Sequence, residues 1–210
     1  MIEHNKQFLI ILSAPSGGGK TTILNEVRRM TDNIDYSVSY TTRQPRGTEE
    51  NKIHYHFVDE PEFLLRKEAG DFLESALVFG KWYGTSISFI KGRLEAGKHV
   101  IMDIDVQGAA LISSTDIPYV KVFIVPPSMD ILKDRLIKRD TDSMEEIEKR
   151  LKIAITELEH IDRYDYLVIN DDLETAVRDV ISIVRAEENR TDKYINPIAG
   201  FLCTGENHDQ

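Results

Sequence analysis

The sequence predicts an α/β fold built around a parallel β-sheet, and three observations carry that prediction. Apolar residues come in near-continuous runs instead of alternating, helix-spaced stretches separate those runs, and a glycine-rich turn joins the first run to the first helix. The first run, Phe8 to Leu12, suits a strand buried on both faces. Val100–Met102 ending at Asp103, Val120–Val125, and Tyr166–Ile169 ending at Asn170 share its character. Helical spacing marks Thr21–Met30, Ser128–Arg139, Met144–His160 and Leu173–Glu188. Right-handed crossovers would bring the residues after Leu12, Ile104, Val125 and Ile169 to one crevice beyond the strand ends.

The stretch 35–88 breaks this rhythm and reads as an inserted lobe. It holds short strand-like pieces at Tyr36–Thr41 and Ile53–Val58, a helix at Glu60–Glu68 and an aromatic, glycine-containing segment at Phe79–Thr85. A second interruption, Lys138–Ser143, separates two helical patterns; Ser143 with Glu146 matches a capping box for the second of them.

Composition narrows the functional classes. With 26 Lys+Arg against 36 Asp+Glu, the 210-residue chain carries a formal charge of −10, which disfavours general attraction to nucleic acid or to an anionic membrane. Cys203 is the one cysteine, so an internal disulfide and any multi-cysteine metal site are excluded. No apolar run approaches the roughly 20 residues of a membrane helix, and the polar start Met1–Gln7 shows no targeting segment. A cytoplasmic protein, monomeric or homodimeric, is expected.

Ser13-Ala14-Pro15-Ser16-Gly17-Gly18-Gly19-Lys20-Thr21-Thr22 joins the first strand to the first helix and reads as a phosphate-binding loop. Glycines let successive N–H groups turn inward around phosphate oxygens, and the helix start adds unpaired donors. Ser16, Gly17, Gly18 and Gly19 supply that cradle, Lys20 a mobile positive charge, Thr21 a hydroxyl for magnesium, and Thr22 a further phosphate hydrogen bond. Ala14 stands where the usual pattern has glycine, so strain is expected there if the position needs a positive φ.

Beyond this loop the chain resembles the guanylate kinases, which phosphorylate GMP with ATP. The matching segments are Ser37–Arg46, Tyr55-His56-Phe57, Phe72-Leu73-Glu74, Tyr83-Gly84-Thr85-Ser86, Asp103–Gly108, the Leu132/Arg135/Leu136/Arg139 series, and Asn170-Asp171-Asp172. They cover roughly residues 10 to 184 in family order. The resemblance implies a P-loop NTPase-type core over 8–34, 89–126 and 159–190, a GMP-binding lobe over 35–88, a helical lid over 127–158 and a tail over 191–210.

It also implies roles. Ser39, Arg43, Arg46, Tyr55 and Tyr83 would hold the GMP phosphate, where paired arginine N–H groups suit a doubly charged anion. Glu74 and Asp105, with the Thr85 hydroxyl, would face guanine, whose N1–H and amino group need acceptors that adenine would leave unpaired. Asp103 would orient a magnesium-bound water, and Asn170 would lie near adenine. Arg135, Arg139 and Arg150 would close over the transferred phosphoryl group, the first two sharing a helix face at a spacing of four. The implied activity is magnesium-dependent phosphoryl transfer from ATP to GMP. A nucleotide-free interaction module would have a degraded loop, whereas Lys20-Thr21 is intact; a kinase for a ribose phosphate would have no use for Glu74 and Asp105. Ser75, Trp82 and Asp140 depart from the family pattern, the first two as an exchange of aromatic volume and the third as a change beside Arg139.

Overall fold

The computed structural model describes residues 3–4, 7–78, 80–112, 115–138 and 143–195. Phe79, Arg139, Asp140 and the tail from residue 196, Cys203 included, lie outside the described residues. In chain order the elements are β1 (Glu3–His4), β2 (Leu9–Ser13), α1 (Lys20–Met30), β3 (Ile34–Tyr36), β4 (Tyr40–Thr41), β5 (His56–Phe57) and α2 (Glu60–Glu68). Then come β6 (Phe72–Val78), β7 (Lys81–Ser86), α3 (Ile87–Glu95), β8 (His99–Asp103), α4 (Val106–Leu111) and β9 (Tyr119–Val125). The last are α5 (Met129–Lys138), α6 (Met144–Leu158), β10 (Tyr166–Ile169), α7 (Leu173–Glu188) and β11 (Tyr194–Ile195), which pairs with β1.

Five strands in the order β10-β9-β2-β8-β3 form a wholly parallel sheet. The central strand explains its unbroken apolar run. Phe8, Ile10 and Leu12 enter one cluster with Ile23 and Val27 of α1 and Val177 and Val180 of α7. Leu9 and Ile11 enter another with Ile90 of α3, Val100, Met102 and Ala109 of α4. Because successive side chains point to opposite faces, a strand covered on both must be apolar at every position.

The second sheet, β5-β4-β7-β6, is mixed: β4 and β5 are parallel, while β7 runs antiparallel to β4 and to β6. Glu74 pairs with Thr85 and Ala76 with Tyr83 on one face, whereas Ser75 pairs with Gly84 and Leu77 with Trp82 on the other. A register shift between Phe72 and Glu74 turns Phe72 onto that second face. There Phe63 of α2 stacks on Phe72 and Trp82, with ring centroids 4.7 and 5.8 Å away. The Ser75 and Trp82 departures therefore lie on the outer packing face. Gly84 is needed there, since a β-carbon would come within 3.0 Å of both phenylalanine rings.

Several elements differ from the sequence expectation. The piece expected at Tyr36–Thr41 is divided: Asp35 and Tyr36 pair with Val100 and Ile101 in the parallel sheet, so that sheet reaches past residue 34, and only Tyr40–Thr41 enters the second sheet. The strand expected over Ile53–Val58 shrinks to His56–Phe57, because a turn with Lys52 at φ 69° donates from Lys52 N–H to the Tyr55 carbonyl. Helix α3 was not expected as an element. Among the described residues no helix is long and apolar enough to cross a membrane.

Candidate active site

The phosphate loop follows β2 and opens directly into α1. Its positive φ values fall on Gly17 and Gly19, both at 93°, and not on Ala14, so alanine there carries no such strain. Gly17 also admits helix α5: a β-carbon would lie 2.9 Å from Leu136 and 3.0 Å from Leu132. Asp59, Ser86, Asp105, Ser143 and Asp172 cap α2, α3, α4, α6 and α7 with their side chains. The start of α1, at Gly19, has no side-chain cap. Its first N–H groups are thus available to an anion, with the exposed Thr21 and Thr22 beside them. The loop residues from Ala14 to Thr22 line a cavity of about 260 Å³ with Asp105 and Glu157.

Lys20 bends back to the end of β8, donating to the Ile104 carbonyl at 3.2 Å with Asp103 Oδ2 at 3.9 Å. Asp103 Oδ1 accepts from Tyr36 at 2.7 Å. Burial and the neighbouring Asp103 raise the Tyr36 phenol, which stays protonated and holds that carboxylate in one orientation.

A larger cavity of about 450 Å³ adjoins the first. Ser39, Arg46, Tyr55 and Tyr83 line one part of it, Glu74, Asp105 and Gly108 another, and Arg150 the side formed by α6. Ser16, Lys20, Asp105 and Glu157 line both cavities, so the two adjoin along these residues, Lys20 among them. Glu74 is buried in β6, and its Oε1 accepts from the Thr85 hydroxyl at 2.7 Å. Burial pushes its carboxyl up to about 7, with Asp105 adding to the rise and Thr85 opposing it. Asp105 caps α4 through the Gly108 N–H at 2.8 Å and faces the cavity at the same time.

Two expected residues are engaged differently from the sequence reading. Asn170, expected near adenine, is buried and donates through its amide to the Gly18 carbonyl at 2.8 Å. It pins the phosphate loop, and a β-carbon at Gly19 would collide with its Nδ2 at 2.2 Å. Arg43, expected on phosphate, is clamped by Glu49 through two hydrogen bonds of 2.9 Å. Hydrogen bonding to Glu49 raises Arg43, and the same pair lowers Glu49. Arg46, by contrast, is exposed. Arg135 donates through Nη2 to the Asn170 carbonyl at 2.8 Å, while its Nη1 is buried with no hydrogen-bond partner. Arg139 lies outside the described residues.

Sequence reasoning missed Glu49, Tyr36 and Glu157. The last accepts from the Ser16 N–H at 3.3 Å, and burial raises its carboxyl. Its spacing of seven from Arg150 puts both on one face of α6, a signal that could have found it. Nothing periodic marks Glu49 or Tyr36.

The family model for guanylate kinase matches residues 6–187. The chain belongs to the guanylate kinase family. The guanylate kinase of Legionella pneumophila (strain Paris) is 43% identical over 202 residues, covering 96% of this chain and 97% of its own length. That of Chromobacterium violaceum is 45% identical over 183 residues and 87% of each chain. The crystal structure of guanylate kinase from Anaplasma phagocytophilum superposes with a TM-score of 0.74 at 32% identity over 90% of both chains.

A guanylate kinase of this kind is expected to use magnesium, and the donors here fit that ion. Magnesium binds oxygen ligands, usually one or two from protein plus phosphates and waters. Thr21 and Asp103 provide such oxygens at the loop. Among the described residues no group of three or more His, Cys, Asp or Glu is placed to hold a metal ion.

Proposed function

We propose that this enzyme transfers the γ-phosphoryl group of ATP to the phosphate of GMP, giving ADP and GDP. The observation that carries the reading is the meeting of two cavities at Lys20, one floored by uncapped helix donors and glycine N–H groups, the other ending on two carboxylates. A phosphate oxygen of GMP attacks the γ-phosphorus, and the bond from that phosphorus to the ADP oxygen breaks with its electron pair leaving on ADP. No covalent intermediate on the protein is needed.

The loop N–H groups, Lys20 and Thr22 hold the donor phosphates, and Asn170 keeps the loop in shape. Ser39, Arg43, Arg46, Tyr55 and Tyr83 hold the acceptor phosphate; Glu49 takes the anion's place on Arg43 until GMP arrives. Glu74, Asp105 and Thr85 read guanine, each missed hydrogen bond costing about 1–3 kcal/mol. Arg135, Arg139 and Arg150, on the 127–158 lid, stabilise charge on the group in flight. Magnesium, held by Thr21 directly and by Asp103 through water, would shield the phosphates' mutual repulsion. The 35–88 lobe and the lid shut out water when both substrates are bound.

ADP release from ATP is measured with GMP, AMP, UMP or a ribose bisphosphate as acceptor, and with ATP alone. Turnover confined to GMP is expected. Lys20→Ala should reduce it by roughly 10²–10³-fold with the fold intact. Equal use of AMP, or near-normal turnover in the variant, overturns the assignment.

A further inference from the structure

We infer that Gly108 is a specificity-determining residue of this site: its missing side chain keeps open the gap between the two carboxylates that receives the purine edge. The inference deepens the GMP reading and rests on it. Gly108 lines the larger cavity and lies in the first turn of α4, where a glycine is unfavourable relative to alanine. Its backbone does not require glycine, since its φ is not in the positive region and both alanine and glycine supply the N–H that Asp105 accepts. Packing does not require it either. A β-carbon built there meets no atom closer than 3.4 Å, in contrast to Gly17, Gly19 and Gly84.

The nearest atoms such a β-carbon would meet are Asp105 Oδ1 and Glu74 Oε2, each at 3.4 Å, and Ile104 Cβ at 3.5 Å. Glu74 Oε1 is already engaged by Thr85, so Oε2 is the oxygen left to accept from a ligand. Asp105 Oδ1 is the oxygen that caps α4 through the Gly108 N–H, so the oxygen at stake is Glu74 Oε2. A methyl in van der Waals contact with it would fill the approach that an N–H donor must take at about 2.9 Å. The glycine thus opposes local helix stability and serves the ligand, which is why stability and recognition should move in opposite directions when it is replaced.

The test is Gly108→Ala, compared with the unchanged enzyme in three measurements: thermal unfolding without ligand, calorimetric titration with GMP, and titration with MgATP. The expected result is an unfolding temperature equal to or above that of the unchanged enzyme, an ATP affinity within twofold, and a GMP dissociation constant raised tenfold or more. A GMP affinity within twofold in the variant overturns the inference. A lowered unfolding temperature overturns it as well, because glycine would then be a packing requirement. If the unchanged enzyme itself fails to bind GMP, the underlying GMP reading falls instead, so the two failures are distinguishable.

Discussion

The parallel sheet and the lobe sheet bury different chemistry. Every residue of β2 is buried and four of its five are apolar, whereas the buried positions the lobe contributes include Ser39, Thr41, Glu74 and Thr85. The parallel sheet is covered by helices on both faces and stabilises the molecule by keeping apolar surface from water. The lobe keeps its aromatic packing on one face, with Phe63, Phe72 and Trp82, and turns polar groups into the cavity on the other. The difference teaches that burial in this protein serves cohesion in one sheet and, on the function proposed above, recognition in the other. Buried polar groups of the lobe find partners within it, Glu74 with the Thr85 hydroxyl and Thr41 with the Trp82 carbonyl, while Glu74 and Ser39 also line the cavity.

Substitutions in the two sheets should therefore separate stability from activity. The largest stability effect is expected in the core. Ile10→Ala removes side-chain volume from a wholly buried site and should cost about 2–5 kcal/mol in urea unfolding, with the KM for GMP little changed in the fraction that stays folded. A loss below 1 kcal/mol would mean that the central strand is not the cohesive element described above.

Glu74→Gln should do the reverse. Its amide oxygen still accepts from Thr85 but the charge is gone, so kcat/KM for GMP should fall roughly tenfold to a hundredfold while unfolding at pH 8 is unchanged or slightly more resistant. An unchanged ratio of GMP to AMP use would remove Glu74 from guanine recognition.

The smallest effect concerns protons. Glu74 is raised from an ordinary 4.5 to about 7, so between those values the folded protein binds more protons than the unfolded chain. The contribution of this group to stability is complete below pH 4.5 and is lost as pH rises through 7. Asp105 faces it with like charge and Thr85 with a hydroxyl, and a guanine N–H favours the ionised form. GMP binding at pH 6.5 should then release up to one proton, seen as a dependence of calorimetric enthalpy on buffer ionisation heat, and Glu74→Gln should abolish most of that release. Proton uptake would contradict a charged Glu74 in the complex.

Much of this was legible in the chain. An apolar run without alternation implies two covered faces, and the core strands occur where the runs stand. The Gly17–Thr21 pattern announces its own turn because positive φ and an uncapped helix start are local properties. The lobe was harder to read: β6 and β7 carry polar residues at buried positions, so their period is masked by the demands of the cavity. Helix α4, six residues long, left too few turns for a periodic signal.

What the sequence by itself determined, then, is the wiring: strand, phosphate loop and helix in order, and residue types suited to phosphate and to guanine. Tertiary structure alone decided that Asn170 braces Gly18 across 152 positions and that Glu157 reaches Ser16 across 141. The physical reason is that local pattern reports on neighbours a few residues apart, while a hydrogen bond between distant segments depends on how whole elements pack. The gap between Glu74 and Asp105, left open at Gly108, is a product of that packing.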